Sequence, residues 1–250
     1  MAELWLGTSG WTYASWRGRF YPETLPSRDY LTFYAREFPT TEINYSFYHL
    51  PKPQTFVKWS QQVPPAFLFA VKASRFITHI KQLREVEEPW QTFVHNAAAL
   101  GSHLGPILLQ FPPSLKCDIP RLQAFLEMAG KAHPQPLRLA CEFRHESWFA
   151  ENVYRILERH NVALCIADSP KYPRRDLLTA DFAYIRFHGR TALFASRYTK
   201  EELRREAQAI RRYLKDGHDV FVYFNNDAMG YAVENARMLR ALLSRHVSLH

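Results

Sequence analysis

The chain is poor in cysteine: its 250 residues hold three, Cys117, Cys141 and Cys165, with no C-x-x-C pair. A small odd number in a chain of this length argues against a disulfide framework and fits a reducing compartment. Cys141 and Cys165 lie in apolar runs and read as small core residues. No apolar run approaches the ~20 residues needed to span a bilayer, so no membrane partner is expected. The opening MAELWLGTSG lacks a basic segment followed by an apolar stretch, which argues against a signal peptide. A cytoplasmic protein is the expectation. No G-x-G-x-x-G follows a strand-like run, so the dinucleotide fingerprint is missing and no cofactor is expected. Linkers, low-complexity tracts and repeats are also missing, so residues 1–250 are expected to form one domain.

What is present is a large core and a surplus of positive charge. Hydrophobic residues make up 47% and aromatics 15% of the chain, and the formal net charge is +8. That surplus favours anionic partners such as phosphate esters or nucleic acid, although solubility alone also explains it. The chain then alternates strand-like and helix-like patterns. Residues 4–6 form a short first strand ending at Gly7, followed by the polar and aromatic loop GTSGWTYASWRGRFYP. Ser27 is placed to cap a helix bearing Leu31, Tyr34, Ala35 and Phe38. Further strands are expected at 40–44, 67–73, 106–111, 137–141, 162–168, 181–188 and 219–224. Helices are expected from Pro53, from Pro89, after a cap at Asp118, from Trp148, over 200–215 and around Ala232 to Leu243. The stretch SPKYPRRD is too rich in proline for a long helix. Near-continuous apolar strands suit a parallel sheet covered on both faces. Eight strands alternating with helices predict an α/β fold, a single (β/α)8 TIM-type barrel. A doubly wound open sheet is the competitor.

Barrels of this kind place their chemistry at the strand C-termini. Those ends carry Thr8, Ser9, Glu42, Asn44, Lys72, Gln110, Glu142, Arg144, Asp168, Arg186, His188, Asn225, Asn226 and Asp227. Several sit inside apolar flanks. Buried unpaired, each would cost several kcal/mol, so they must satisfy one another or a ligand. Glu142 and His188 are candidate acid/base groups, or simple hydrogen-bonding partners. Lys72 has three readings: neutralising Glu42 or Glu142, binding an anion, or acting as a base or Schiff-base amine if apolar neighbours lower its pKa. Arg144 and Arg186 offer planar forks for phosphate. Trp11, Tyr13, Trp16, Tyr45 and Tyr48 can stack a base or sugar ring, or pack a lid's own core. Asn44, Gln110, Asp168 and Asn225 complete the expected binding set. Glu142, Asp168 and His188 have the right chemistry for a divalent ion, but the cations crowding the same mouth disfavour one, so an anion rather than a metal is expected there. Outside the mouth, Arg204, Arg205, Arg211, Arg212 and Lys215 share one helix face, which can track phosphates or merely be solvated. The expected function is an enzyme using acid/base chemistry on a phosphorylated or other anionic small molecule or a nucleic-acid-derived ligand. A non-catalytic nucleic-acid-binding protein and a metal-dependent endonuclease- or isomerase-like barrel are the alternatives. Oligomeric state is not legible.

The runs GTSGWTYASWRGRFYP, TEINYSFYHLP, FAVKASRFITH, LGPILLQFPPS, EFRHESWF, YIRFHGR and VYFNND with GYAVENA resemble the YecE-like family, numbered 72 among the domains of unknown function. The resemblance runs from Leu6 to about Leu239. It implies a TIM-type barrel and a prokaryotic cytosolic protein, and brings no established activity or catalytic residues. At fold level the family is similar to sugar isomerase and apurinic endonuclease barrels; the histidine-rich metal cluster of the endonuclease barrels is not matched by this sequence.

Overall fold

The structure, a computed structural model, describes residues 2–244. Nine parallel strands make one sheet: β1 (Leu4–Ser9), β2 (Thr40–Ile43), β3 (Leu68–Lys72), β4 (Leu104–Gln110), β5 (Leu139–Glu142), β6 (Val162–Leu164), β7 (Ile166–Asp168), β8 (Phe182–Phe187) and β9 (Asp219–Phe224). Their order is β6-β5-β4-β3-β2-β1-β9-β8-β7. The expected sixth strand is thus two short strands either side of Cys165. β6 pairs with β5 and β7 pairs with β8, while the Cys165 N–H still donates to the Cys141 carbonyl at 2.9 Å. One stretch of chain changes partners at Cys165, and this corner brings the sheet to a nearly closed barrel. The open doubly wound alternative is set aside.

Eight helices accompany the strands among the described residues: α1 (Tyr30–Tyr34), α2 (Tyr45–Tyr48), α3 (Pro53–Ser60), α4 (Glu87–Ala98), α5 (Ile119–Ala129), α6 (Glu151–Arg159), α7 (Lys200–Lys215) and α8 (Tyr231–Leu243). No helix follows β7, where Pro170 and Pro173 interrupt the chain. The Asp118 carboxylate accepts from the Arg121 N–H at 3.1 Å, as its spacing predicts. Ser27 does not cap α1. It opens a 3-10 turn, Ser27–Asp29, and backbone carbonyls supply the acceptors there. Trp148 does not open α6 either. Its indole donates to the Leu115 carbonyl at 2.8 Å and stacks on Phe143, so a 3-10 turn holds it in the core and the helix starts at Glu151. No helix among the described residues is long and apolar enough to cross a membrane.

Two apolar clusters hold the barrel. The larger lies between the sheet and the helices. The smaller fills the interior with Ala70, Leu108, Ala140, Ala163, Cys165 and Ala167 on one side and Phe182, Tyr184, Phe221 and Tyr223 on the other. Small side chains facing large ones let the interior close without voids. Every second residue points inward. Leu68, Ala70 and Lys72 therefore share the inner register of β3, as do Leu108 and Gln110 on β4, Ala140 and Glu142 on β5, and Tyr184 and Arg186 on β8. Each inner row turns from apolar to polar as it nears the strand C-terminus, and that change builds the site.

Candidate active site

Arg186 occupies the centre of this polar layer and is fully buried. One terminal nitrogen meets Glu42 Oε1 at 2.7 Å and the other meets Glu142 Oε2 at 2.5 Å. Glu42 also accepts from the Tyr184 hydroxyl at 2.6 Å and the Ser9 hydroxyl at 2.7 Å. Arg144 Nε donates to Glu142 Oε1 at 2.9 Å, and His188 Nε2 lies 3.3 Å from Glu142 Oε2. The Asn225 amide sits 3.1 Å from His188 Nδ1. With the amide donating there, the imidazole proton belongs on Nε2, facing Glu142.

This network decides the protonation states. Burial alone would raise the Glu142 carboxyl, but Arg186, His188 and Arg144 outweigh it and hold the group well below its ordinary range. Burial likewise works against Glu42, and Arg186 with the Tyr184 and Ser9 hydroxyls keeps it ionised. Burial lowers His188 further than Glu142 can raise it, so the imidazole is neutral at pH 7. Glu142 and His188 are at most 1% exposed. A sealed carboxylate with both oxygens engaged by cations or hydrogen-bond donors is a weak base. Both members of the expected acid/base pair are thus already hydrogen-bonded inside the barrel. Arg186 does not offer a free fork to an anion either, since both terminal nitrogens are held by carboxylates.

Lys72 differs from its neighbours. Its ammonium lies 3.9 Å above the Phe47 ring and makes no hydrogen bond or ion pair among the described residues. The two carboxylates that could neutralise it are bridged by Arg186 instead. Burial, reinforced by the Arg186 and Arg144 charges and partly offset by Glu142 and Glu42, lowers its pKa to about 7. Arg144 lays its guanidinium 4.5 Å from the Tyr172 ring, and its two terminal nitrogens make no hydrogen bond among the described residues. Between them, Gln110 donates to the Phe111 carbonyl at 2.9 Å and approaches His79 Nε2 at 3.4 Å. Burial and the charge of Lys72 lower His79 to about 4, so it too is neutral.

Other expected members stand elsewhere. Asp168 accepts from the Tyr198 hydroxyl at 2.8 Å, Arg174 at 3.1 Å and Arg190 at 3.2 Å, and both arginines also hold Glu206. It ties loops to α7 and does not join Glu142 and His188, so the suggested three-residue metal set is not assembled. Among the described residues no group of three or more His, Cys, Asp or Glu is placed to hold a metal ion. Trp16 is fully buried, edge-on to Phe20 and beside Tyr21 and Tyr34, so it packs the first loop rather than facing a ligand. Asn226 binds the Ser196 carbonyl and Asn235.

Trp11, Tyr13, Asn44, Tyr45 and Tyr48 line a cleft of about 840 Å3 beside the mouth. Trp11 is 8% exposed and edge-on to Trp59, whereas Tyr45 and Tyr48 are 58% and 63% exposed. The Tyr13 hydroxyl donates to the Ser9 carbonyl at the exit of β1.

Sequence reasoning placed no weight on His79 or Tyr184 and named Asp227 only as one of the strand-end residues. His79 carried no signal beyond its position after β3. Tyr184 is legible only once the inner register of β8 is known. Asp227 is buried, and neither carboxyl oxygen is hydrogen-bonded among the described residues. Burial raises its pKa well above the usual range, with Glu42 adding to the effect and the nearby Tyr13 hydroxyl opposing it.

The comparisons agree with this architecture. The chain is 27% identical over 272 residues to the UPF0759 protein YunF of Bacillus subtilis, covering 96% of this chain and 94% of that protein. It is 27% identical over 212 residues to the UPF0759 protein YecE of Escherichia coli, covering 74% of each. A crystal structure of a DUF72 family protein from Thermotoga maritima superposes with a TM-score of 0.86 at 31% identity, over 97% of this chain and 99% of that one. A second DUF72 structure, from Enterococcus faecalis, shares the fold with a TM-score of 0.82 at 23% identity, over 99% and 97%. The family model described as "Protein of unknown function DUF72" matches residues 5–249. This α/β barrel, with its arginine-bridged carboxylates at the mouth, belongs to the DUF72 family.

Proposed function

We propose that the chain is an enzyme acting on an anionic small molecule at the barrel mouth, with Lys72 as its reactive amine and Arg144 as the anchor for the anion. The observation that carries this is the unpartnered Lys72 ammonium, buried on the inner face of β3 with a pKa near 7. Near neutral pH such an amine is partly unprotonated, and so can take a proton or attack a carbonyl. Leaving it without a counter-ion is costly, which is the pattern of a group kept for reaction. Arg144 adds free N–H groups beside it, directed by its Nε contact with Glu142. The bridge of Glu42, Arg186 and Glu142 carries one net negative charge, which the Arg144 contact with Glu142 balances.

The test is acylation of Lys72 followed residue by residue with mass spectrometry across pH. Half-maximal reactivity is expected near pH 7, against about 10.4 for surface lysines. Inorganic phosphate should protect Lys72, and Arg144→Ala should weaken that protection. Lys72 reacting in step with the surface lysines would sink the proposal. The second reading, nucleic-acid binding without chemistry, draws on the exposed Tyr45 and Tyr48. Its other support is weaker: Arg204 pairs with Glu201 and Arg211 donates to the Leu242 carbonyl, leaving Arg205, Arg212 and Lys215 on that helix face.

A further inference from the structure

We infer that the cleft between the first loop and α2–α3 is a binding site for a single nucleotide. Its base would lie against Tyr45 and Tyr48, its base edge against Asn44, and its phosphate by Lys52 and Lys58. Four observations point there. The first is charge: the cleft wall carries Arg28, Lys52 and Lys58 and no acidic residue. All three cations are exposed, and the Arg28–Asp29 contact at 3.9 Å is too long and too solvated to neutralise one of them.

The second is the aromatic surface. Large exposed rings are uncommon on a free surface, and Tyr45 and Tyr48 stand side by side on one helical turn with Trp59 on the facing wall. A planar ring ligand would cover them by stacking. The third is Asn44. Its Oδ1 is buried with no partner, and its amide nitrogen makes no hydrogen bond among the described residues. Once its buried oxygen turns towards the cleft, a carboxamide with both arms unused suits an adjacent donor and acceptor, which a nucleobase edge presents and a plain phenyl ring does not. The fourth is size: about 840 Å3 lies within the range of small-molecule sites. Three cations and one carboxamide match one base and one or two phosphates better than a strand of many.

The cleft also adjoins the mouth. α2 follows β2 directly and presents opposite faces to the two regions. Phe47 turns inward beneath the Lys72 ammonium, and the Ser46 hydroxyl donates to the Lys72 carbonyl at 2.6 Å. Tyr45 and Tyr48 turn outward to the cleft. The short helix α2 thus stands between the cleft and Lys72. That the nucleotide is the substrate rests on the proposed role of Lys72; that the cleft binds one does not.

The experiment is calorimetric titration of the purified full chain with each of the four ribonucleoside 5′-monophosphates, with inorganic phosphate and with a short single-stranded oligonucleotide. At least one monophosphate should bind more tightly than inorganic phosphate. Tyr48→Ala, a change at an exposed position, should weaken it about tenfold. Asn44→Ala should erase preference among the bases, Lys52→Glu should weaken all four, and Arg205→Ala on α7 should change nothing. Circular dichroism checks that each variant is folded. No binding of any monophosphate, binding indifferent to Tyr48→Ala, or binding of the oligonucleotide alone would each overturn the assignment. If nucleotides bind while Lys72 titrates like a surface lysine, the cleft assignment stands and the catalytic reading falls. If Lys72 titrates near pH 7 and no nucleotide binds, the reverse holds.

Discussion

Lys72 and Asp227 are both buried ionisable groups that make no ion pair among the described residues, and each makes stability depend on pH in a defined direction. For Lys72 the folded pKa of about 7 lies below the unfolded value, so between about pH 7 and 10.4 the unfolded chain binds more protons. Stability from this residue therefore rises with pH through that window. Below it, the charged amine costs the folded state on the order of a few kcal/mol. Lys72→Met should accordingly be more stable than the parent at pH 6, with the gap closing towards pH 10 in urea titrations. A constant gap would show that the amine is not desolvated. Asp227 behaves oppositely, because its folded pKa is raised. Its contribution is fully present below about pH 4 and is lost as pH rises through the folded pKa. Asp227→Asn should match the parent near pH 3.5 and gain on it steadily at higher pH. The same thermal-shift series on both proteins checks this, and parallel curves would contradict it.

Among the elements, β1 meets β2 most tightly at Gly7. A Cβ on Gly7 would lie 2.0 Å from the Thr40 carbonyl and 2.8 Å from the Tyr34 hydroxyl. That hydroxyl accepts from the Thr8 N–H at 2.9 Å and donates to the Thr40 carbonyl at 3.0 Å, linking the two strands where the register begins. Gly7→Ala would have to push the strands apart, and overpacking of this kind costs roughly 1–3 kcal/mol or more. The expected result is a lower urea midpoint with weaker retention of any ligand that touches Ser9 or Glu42, since both hang from these strands. An alanine variant as stable as the parent would mean that the strands can separate freely. The helix ends show the same dependence on context. Asp118 and Thr199 cap as their spacing predicts, whereas Ser27 does not, because the preceding Pro26 leads into a 3-10 turn whose backbone already supplies the acceptors.

For the whole molecule, the two ends of the barrel divide the labour. The strand N-termini carry the Arg138–Asp219 pair at 2.7 Å, and Asp219 Oδ1 also accepts from the Glu3 N–H at 2.9 Å. The C-terminal end carries Lys72, Arg144 and the cleft. If the mouth binds an anion as proposed, residues at the first end stabilise the barrel and those at the second serve binding. Arg138→Ala should lower the melting temperature and leave phosphate protection of Lys72 intact. Arg144→Ala should weaken that protection, and its stability cost comes from the buried Glu142 losing one of its cations. The pair of variants is read by calorimetry alongside the Lys72 labelling, and identical behaviour of the two would refute the division.

Much of the barrel was legible in the sequence because parallel strands buried on both faces leave long apolar runs, and helices leave a 3.6-residue stripe. The positions of Lys72, Gln110, Glu142, Arg186 and His188 at strand ends were legible for the same reason: each interrupts an apolar run close to its C-terminal end. What the linear order could not show is which charges meet. Pairing depends on which strands are neighbours and on which face each residue takes. Arg186 reaches Glu42 and Glu142 only because the barrel curls β8, β2 and β5 around one interior. Asp168 ends a strand as Glu142 does, yet points away from the interior, because Ala163, Cys165 and Ala167 take the inner register and leave Ile166 and Asp168 on the helix side. Local periodicity therefore determined the elements and marked their polar ends. Tertiary closure alone decided that Arg186 is occupied, that Glu142 and His188 are sealed, and that Lys72 is left as the unpaired amine.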